Sequence, residues 1–407
     1  MNCRHCEQQL EHVFLDLGFA PPSNAYLSEN TLDAPETYLP LKLFVCEHCW
    51  LVQTNDVTDA ETFFTDDYAY FSSTSEGWLK HAVHYCEMVQ QRFQLDKASF
   101  VVEVAANDGY LLKNFVNQGI PCLGIEPTKG TAEAAEKIGV PILQEFFNSE
   151  LAEQLAIKEQ QADLIIGNNV FAHVPNINDF TSGMKRLLKP EGIITLEFPH
   201  LLELIDKVQF DTVYHEHFSY LSLTSVISIL SQAGLKVFDV EKLPTHGGSL
   251  RVYGCHQENE RGVSVHVAEM LKSEQDYGLL DLKRYSDFQQ KVDEIKYSLF
   301  SFLLEQKRLG KTILAYGAAA KGNTLLNYSG IKTDLLPIVV DAAKAKQGQY
   351  LPGSHIPIVS PEVVAEQKPD FVLILPWNIA DEITAQQSYI RSWGGQFVKA
   401  VPELEVF

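Results

Sequence analysis

Between residues 100 and 200 the chain repeats one rhythm: a short apolar run, a polar turn, then apolar positions spaced three and four apart. The runs Phe100–Ala105 (FVVEVA), Pro121–Glu126 (PCLGIE), Ala162–Asn169 (ADLIIGNN) and Gly192–Phe198 (GIITLEF) predict buried strands with helices between them. That alternation predicts a mostly parallel, doubly wound sheet. Upstream, Trp78, His81, Ala82, Tyr85, Val89 and Phe93 fall at helical intervals. The segment before residue 65 differs: Pro21, Pro22, Pro35 and Pro40 punctuate runs such as Leu41–Val45, too little periodic structure for a core of its own. A less regular stretch covers residues 200–260, and one long polar helix is expected over 264–308 as a spacer. Beyond it strand, glycine turn, helix and strand recur (TILAYGAAAKGNTLL, LLPIVVDA, PDFVLILPW), which predicts a second Rossmann-like unit at about 290–407.

A chain of 407 residues exceeds one core and predicts two or three domains. With 45% apolar and 21% charged residues, ample core is available. The net charge of −21 argues against general nucleic-acid binding, yet admits a small phosphorylated substrate held by a few local cations. MNCRHCEQQLEHV has no basic region followed by an apolar stretch, so no signal peptide is expected. No apolar run approaches a membrane span. Seven cysteines without an export signal point to the reducing cytoplasm, where thiols pack or bind metals.

Cys3-Arg4-His5-Cys6 and Cys46-Glu47-His48-Cys49 form paired CxxC turns with 39 residues between them. Each turn supplies two thiolates to a tetrahedral ion, and clamping the proline-rich segment this way would contribute to its folding. Redox pairs are the other reading. A catalytic zinc is disfavoured because four thiolates leave no open position. His5 and His48, inside the turns, are expected not to be ligands.

Val101–Leu112 reads as strand, turn and helix, with the turn at the carboxyl end of the strand, where ligands bind in this topology. Glu103, Ala105, Asn107, Asp108 and Gly109 follow the E/D-x-G-x-G-x-G pattern with two glycines replaced. Glu126, at the end of the next strand, is placed to accept ribose hydroxyls. The same spacing occurs in dinucleotide sites, so it does not separate S-adenosylmethionine from a nicotinamide cofactor. Three features favour the former: the weakened glycine pattern, Gln144-Glu145-Phe146-Phe147 where adenine is buried, and Asn168-Asn169 where a reacting methyl would project.

Tyr214-His215-Glu216-His217 is the densest set of proton-transfer groups. If extended, it would turn Tyr214 and Glu216 one way and the histidines the other; a turn would relax this. A histidine near neutrality suits proton abstraction, and a carboxylate can orient it. Asp67–Ser73 (DYAYFSS) is a second aromatic–polar cluster, as readily core as site. Ala315–Thr324 (AYGAAAKGNT) lacks the Walker spacing, but its small residues and Lys321 suit a phosphate at a helix start. Lys344, Lys346 and Tyr350 follow the next strand.

The order of these features resembles the sugar C-methyltransferases of deoxysugar biosynthesis. The likeness rests on the paired CxxC, YAYFSS, EVAANDG, NNVFAHV, YHEHFSY, HGGSLR, GAAAKGNTLLNYSGI and KQGQYLPG. It implies a zinc-binding lobe at 1–68, a Rossmann-type S-adenosylmethionine domain at 69–285 and a C-terminal α/β nucleotide-sugar-binding domain at 286–407. It implies that a proton is removed beside a sugar ketone and that the enolate carbon is then methylated; the expected position is C3 of a 4-keto-6-deoxy sugar linked to dTDP or another nucleotide. His217 resembles the base, with Tyr214, Glu216 and Tyr68 beside it. Glu103, Ala105, Asn107, Asp108, Gly109, Glu126, Glu145, Phe146 and Asn168 are the expected cofactor contacts, and Cys3, Cys6, Cys46 and Cys49 the zinc ligands. Expected at the substrate are Tyr70, Ser72, Asn169, His173, His246 and Arg251, with Gly317, Lys321, Asn323, Lys346, Tyr350, Trp377 and Asn378 from the last domain. A monomer or weak homodimer, without nucleic-acid or membrane partners, is expected. The rivals are a nicotinamide-dependent sugar oxidoreductase or epimerase, an O- or N-methyltransferase, and a non-catalytic zinc protein.

Overall fold

The structure is a computed structural model and describes residues 1–55 and 71–407. Tyr68, Tyr70 and most of the DYAYFSS cluster lie outside the described residues. The chain divides into two compact units. The first comprises Met1–Glu11, Cys46–Leu201 and Phe218–Leu280; the second comprises His12–Val45, Leu202–His217 and Asp281–Phe407.

The first unit is built on a seven-stranded sheet. Its strands are β1 (Val101–Val104), β2 (Cys122–Ile125), β3 (Ile142–Leu143), β4 (Ala162–Asn168), β5 (Leu188–Pro199), β6 (Leu235–Leu243) and β7 (Ser249–His256). They lie in the order β6-β7-β5-β4-β1-β2-β3. β7 runs antiparallel to both neighbours, whereas β1 to β5 pair in parallel. β1 is buried at every position and β4 at every position but Asp163, so these strands show no in–out alternation. The helix Glu76–Phe93 covers one face: Ala82, Tyr85, Cys86 and Val89 are its buried stripe, and the Ser75 side chain caps its start. The stretch expected to be irregular holds β6, β7 and the helix Leu223–Gln232. Its strands escaped notice because β6 carries Asp239, Glu241 and Lys242 among its apolar positions.

The second unit contains a six-stranded sheet: β8 (Ile313–Tyr316), β9 (Val339–Val340), β10 (Ile358–Val359), β11 (Phe371–Ile374), β12 (Gln396–Lys399) and β13 (Glu405–Val406). The order is β10-β9-β8-β11-β12-β13, all parallel except the last pair. This is the second Rossmann-like sheet the strand–turn–helix recurrence predicts. The strands His12–Ala20 and Leu39–Val45 pair antiparallel within the same unit. Phe14 of the first packs on Phe288, ring centroids 4.7 Å apart, so the helix Phe288–Arg308 supports the proline-rich segment. The expected spacer is not one helix. It breaks into Val265–Tyr277, Lys283–Ser286 and Phe288–Arg308, because Gly278 takes the left-handed conformation (φ +95°) and ends the first.

Candidate active site

The turn after β1 keeps the shape its sequence had loosened. Ala105 (φ +58°), Asn107 (φ +49°) and Gly109 (φ +74°) are all left-handed, at the three positions where the pattern calls for glycine. Ala105 carries the steric cost, while asparagine accepts this region more readily. Gly109 cannot be replaced freely: a Cβ there would lie 3.0 Å from both Ala135 Cβ and Val140 Cγ2. Glu126 at the end of β2 braces the turn, accepting from the Asn107 amide (2.9 Å) and, through its other oxygen, from the Thr128 amide (3.0 Å). A carboxylate retains acceptor capacity beyond these bonds. The Ser72 and Ser73 amides donate to Asn107 Oδ1 (2.9 Å) and Asp108 Oδ2 (3.1 Å), drawing the end of the aromatic–polar cluster onto the turn.

Four polar groups at this end of the sheet have buried atoms without a hydrogen-bond partner: Glu103 Oε2, Asp108 Oδ1, both amide atoms of Asn168 and Asn169 Oδ1. Buried polar atoms are ordinarily satisfied. Their clustering fits a polar ligand with its own donors and acceptors. Burial, then the neighbouring Glu126 and Asp108, push the Glu103 carboxyl well above the usual range. Glu145 and Phe146 are exposed after β3, Phe146 at 40%. Asn169, just past β4, is left-handed (φ +52°), and its Nδ2 donates to His246 Nε2 at 3.2 Å. His173 ends a short helix over Phe171–His173. Arg251 is buried and held by Glu197 (2.7 Å) and Glu241 (2.8 Å).

In the second unit Tyr214–His217 forms a tight turn, the His217 amide donating to the Tyr214 carbonyl at 3.2 Å. His217 Nδ1 lies 3.0 Å from the Thr212 carbonyl. A carbonyl only accepts, so Nδ1 carries the hydrogen, and in the neutral ring Nε2 is the basic nitrogen. The Tyr214 ring lies 4.6 Å from the His217 ring. His215 donates from Nε2 to the Leu39 carbonyl (3.1 Å), and burial lowers its pKa. Burial pushes the Glu216 carboxyl up to about 7, against the hydrogen bond from Asn24 Nδ2 (2.6 Å).

The glycine turn after β8 is equally braced. Gly317 (φ +91°) leaves room for Pro376, whose Cδ would lie 2.5 Å from any Cβ there. Lys321, near the start of the helix Ala320–Ser329, donates to Asn378 Oδ1 (2.6 Å) and sits 4.6 Å over the Trp377 ring. Trp377 Nε1 donates to Asp211 Oδ2 (2.7 Å), and burial pushes the Asp211 carboxyl up to about 6, opposed by Lys321. Lys346 Nζ and the Tyr26 hydroxyl both donate to the Ala318 carbonyl at 2.7 Å. Asn323 is buried and donates to the Ser23 carbonyl (2.7 Å), and Tyr350 exchanges backbone bonds with Leu27.

The Sγ atoms of Cys3, Cys6, Cys46 and Cys49 all lie within 4.8 Å of one another. A tetrahedral ion with bonds of about 2.3 Å needs sulfurs about 3.8 Å apart, so the four thiols fit one. His5 is spoken for: Nδ1 meets Asn178 Oδ1 and Nε2 meets Ser228 Oγ, each at 2.9 Å.

Residues 79–240 match the family model of a methyltransferase domain, and residues 244–402 that of a C-methyltransferase C-terminal domain. Residues 3–64 match that of a candidate zinc binding domain. Over 404 residues the chain is 33% identical to the C-methyltransferase NovU of Streptomyces niveus, spanning 99% of this chain and 96% of that protein. The chain belongs to the C-methyltransferase family. This C-methyltransferase also overlaps, at 15% identity and a TM-score of 0.39, the PH0226 protein of Pyrococcus horikoshii OT3, covering 46% of this chain and 94% of that one. For the 1,6-didemethyltoxoflavin-N1-methyltransferase of Burkholderia thailandensis the values are 17% identity, a TM-score of 0.36 and coverages of 46% and 81%. The enzyme is thus an S-adenosylmethionine-dependent methyltransferase with a class I Rossmann-like fold and an N-terminal four-cysteine cluster. No helix among its described residues is long and apolar enough to cross a membrane.

Several groups of this C-methyltransferase carry no motif of their own. Asn24 grips Glu216, Asp211 grips Trp377, and the Thr212 carbonyl sets the His217 tautomer. The first lies far from its partner in sequence, and a backbone carbonyl has no sequence signature. A buried Asp beside YHEH was the one available hint.

Proposed function

We propose that the enzyme transfers the methyl group of S-adenosylmethionine to C3 of a nucleotide-linked 4-keto-6-deoxy sugar, with dTDP as the nucleotide. The observation that carries this reading is the His217 ring: a backbone carbonyl holds Nδ1–H, which makes Nε2 the basic nitrogen of the neutral ring. An imidazole fixed in this way can take a proton at neutral pH. His217 removes the C3 proton, the C–H electron pair moves toward the C4 carbonyl, and the enolate carbon takes the methyl. The cofactor supplies an electrophilic methyl on sulfonium, and the carbon–sulfur bond breaks as the carbon–carbon bond forms.

Tyr214 and Glu216, with Tyr68, attend the base and the developing enolate oxygen, where hydrogen-bond donors lower the barrier. Glu103, Asp108, Glu126 and Asn168, with the Ala105–Gly109 turn, hold the cofactor; the orphaned buried atoms at that turn support this role. Phe146 and Glu145 flank its adenine. Tyr70, Ser72, Asn169, His173 and His246 serve the acceptor sugar, and Arg251 acts on it through its carboxylate partners. Lys321 and Lys346 concentrate positive charge for the diphosphate in a chain of net charge −21, with Gly317, Asn323, Tyr350, Trp377 and Asn378 shaping that pocket. Zinc on the four cysteines is structural. The setting is the cytoplasm.

The test is incubation with [methyl-13C]S-adenosylmethionine and dTDP-4-keto-6-deoxyhexoses, followed by carbon-13 NMR. A methyl on a quaternary or tertiary sugar carbon is expected. Label found only on oxygen or nitrogen overturns the proposal.

A further inference from the structure

Glu197 stands at the carboxyl end of β5, beside Asn168 in register, and is fully buried. A lone carboxylate there would be costly, and this one is paired through both oxygens. Its Oε2 receives Arg251 (2.7 Å) and His81 (2.9 Å), and its Oε1 accepts from the Thr245 hydroxyl at 3.0 Å. Burial opposes ionisation, yet His81 and Arg251 hold the carboxyl below its usual range. The backbone carbonyl of the same residue accepts from the Asn169 amide at 2.7 Å.

Thr245 immediately precedes His246, and the two residues that meet across Asn169 Nδ2–His246 Nε2 are both left-handed without being glycine. The left-handed region is unfavourable for a non-glycine residue, less so for asparagine than for histidine, and the surrounding contacts hold both there. Glu197 reaches both places, its carbonyl bonded to the Asn169 amide and its carboxylate to the Thr245 hydroxyl beside His246. A further brace comes from the same carboxylate: His81 stacks on Trp78 (4.8 Å), and Trp78 lies 5.1 Å from the His246 ring.

We infer that Glu197, acting through Thr245, is a positioning residue that sets the His246 ring against Asn169 in the methyl-acceptor end of the enzyme. Its effect on turnover rests on the proposed sugar C-methylation; its effect on the ring does not. Because Asn169 Nδ2 donates to Nε2, the clasp fixes His246 with its hydrogen on Nδ1.

Thr245→Val removes the hydroxyl at nearly constant volume on a partly exposed residue, leaving the Glu197 ion pairs intact. In the full-length protein, side-chain nitrogen-15 NMR of His246 should show one tautomer in the wild type and a mixture in T245V. With the keto-sugar, kcat/KM should fall about tenfold or more. The affinity for S-adenosylhomocysteine and the melting temperature should stay near wild type, and Thr245→Ser should restore both the tautomer and the rate. A wild-type His246 spectrum in T245V overturns the inference, as does failure of serine to rescue, or a loss of rate matched by equal losses of cofactor affinity and stability. If the wild type methylates no keto-sugar, the proposed function falls, and the His246 spectrum alone decides the positioning role.

Discussion

Glu216→Gln should change how stability depends on pH, and the size of the change follows from burial. The side chain is 7% exposed, and its carboxyl rises from 4.5 to about 7. The folded protein therefore holds this proton more tightly than the unfolded chain does. Stability from it is fully present below pH 4.5 and is lost as pH rises through about 7. The interval corresponds to about 3 kcal/mol at about 1.4 kcal/mol per decade. Glutamine keeps an acceptor for Asn24 Nδ2 but cannot ionise, so the loss disappears. Asp211, raised from 3.8 to about 6 by burial, titrates in an overlapping range, so the difference between wild type and variant isolates Glu216. Urea unfolding from pH 4 to pH 8 is the assay. The two proteins should agree near pH 4, with the variant more stable by about 3 kcal/mol at pH 8. Parallel stability curves would refute the reasoning.

Three further substitutions probe the other sites. Gly109→Ala combines a left-handed φ with 3.0 Å contacts to Ala135 and Val140; it should weaken S-adenosylhomocysteine binding about tenfold by calorimetry, and an unchanged Kd contradicts the turn's role. Lys321→Ala should raise the KM for the nucleotide-sugar about tenfold, more so at low salt, while leaving cofactor affinity alone; equal KM values at all salt concentrations remove Lys321 from the diphosphate. Cys46→Ser breaks the four-thiolate set, so zinc per chain measured by plasma emission should fall and the segment before Thr54 should become protease-sensitive. Full zinc occupancy in this variant would rule the cluster out as the metal site.

Strands β1, β2, β4 and β5 of the first sheet and β8, β9 and β11 of the second were legible because buried parallel strands are mostly apolar runs bounded by polar turns. The turn after β1 was legible too, although Ala105 and Asn107 hide its glycine pattern: the backbone keeps left-handed values at those positions regardless. Sequence reading failed where polarity decorates a strand, as at Asp239 and Glu241 in β6, and where one glycine decides a helix, as at Gly278. The YHEH cluster was recognisable as chemistry, but not how its members divide the work. His215 turns to the Leu39 carbonyl, Glu216 to Asn24 and His217 to the Thr212 carbonyl. None of those partners shares a period or a motif with the residue it holds. Arg251 shows the same limit from the other side: a basic residue in HGGSLR invites a substrate role, yet its guanidinium is engaged by Glu197 and Glu241.

Proton removal by His217 can be observed apart from methyl transfer. With S-adenosylhomocysteine bound and the dTDP-4-keto-6-deoxy sugar in deuterium oxide, proton NMR follows the C3 hydrogen directly. Wild-type enzyme should exchange it for deuterium, whereas His217→Asn, with cofactor affinity intact, should leave it in place. Exchange at an undiminished rate in the variant would contradict the assignment of the base.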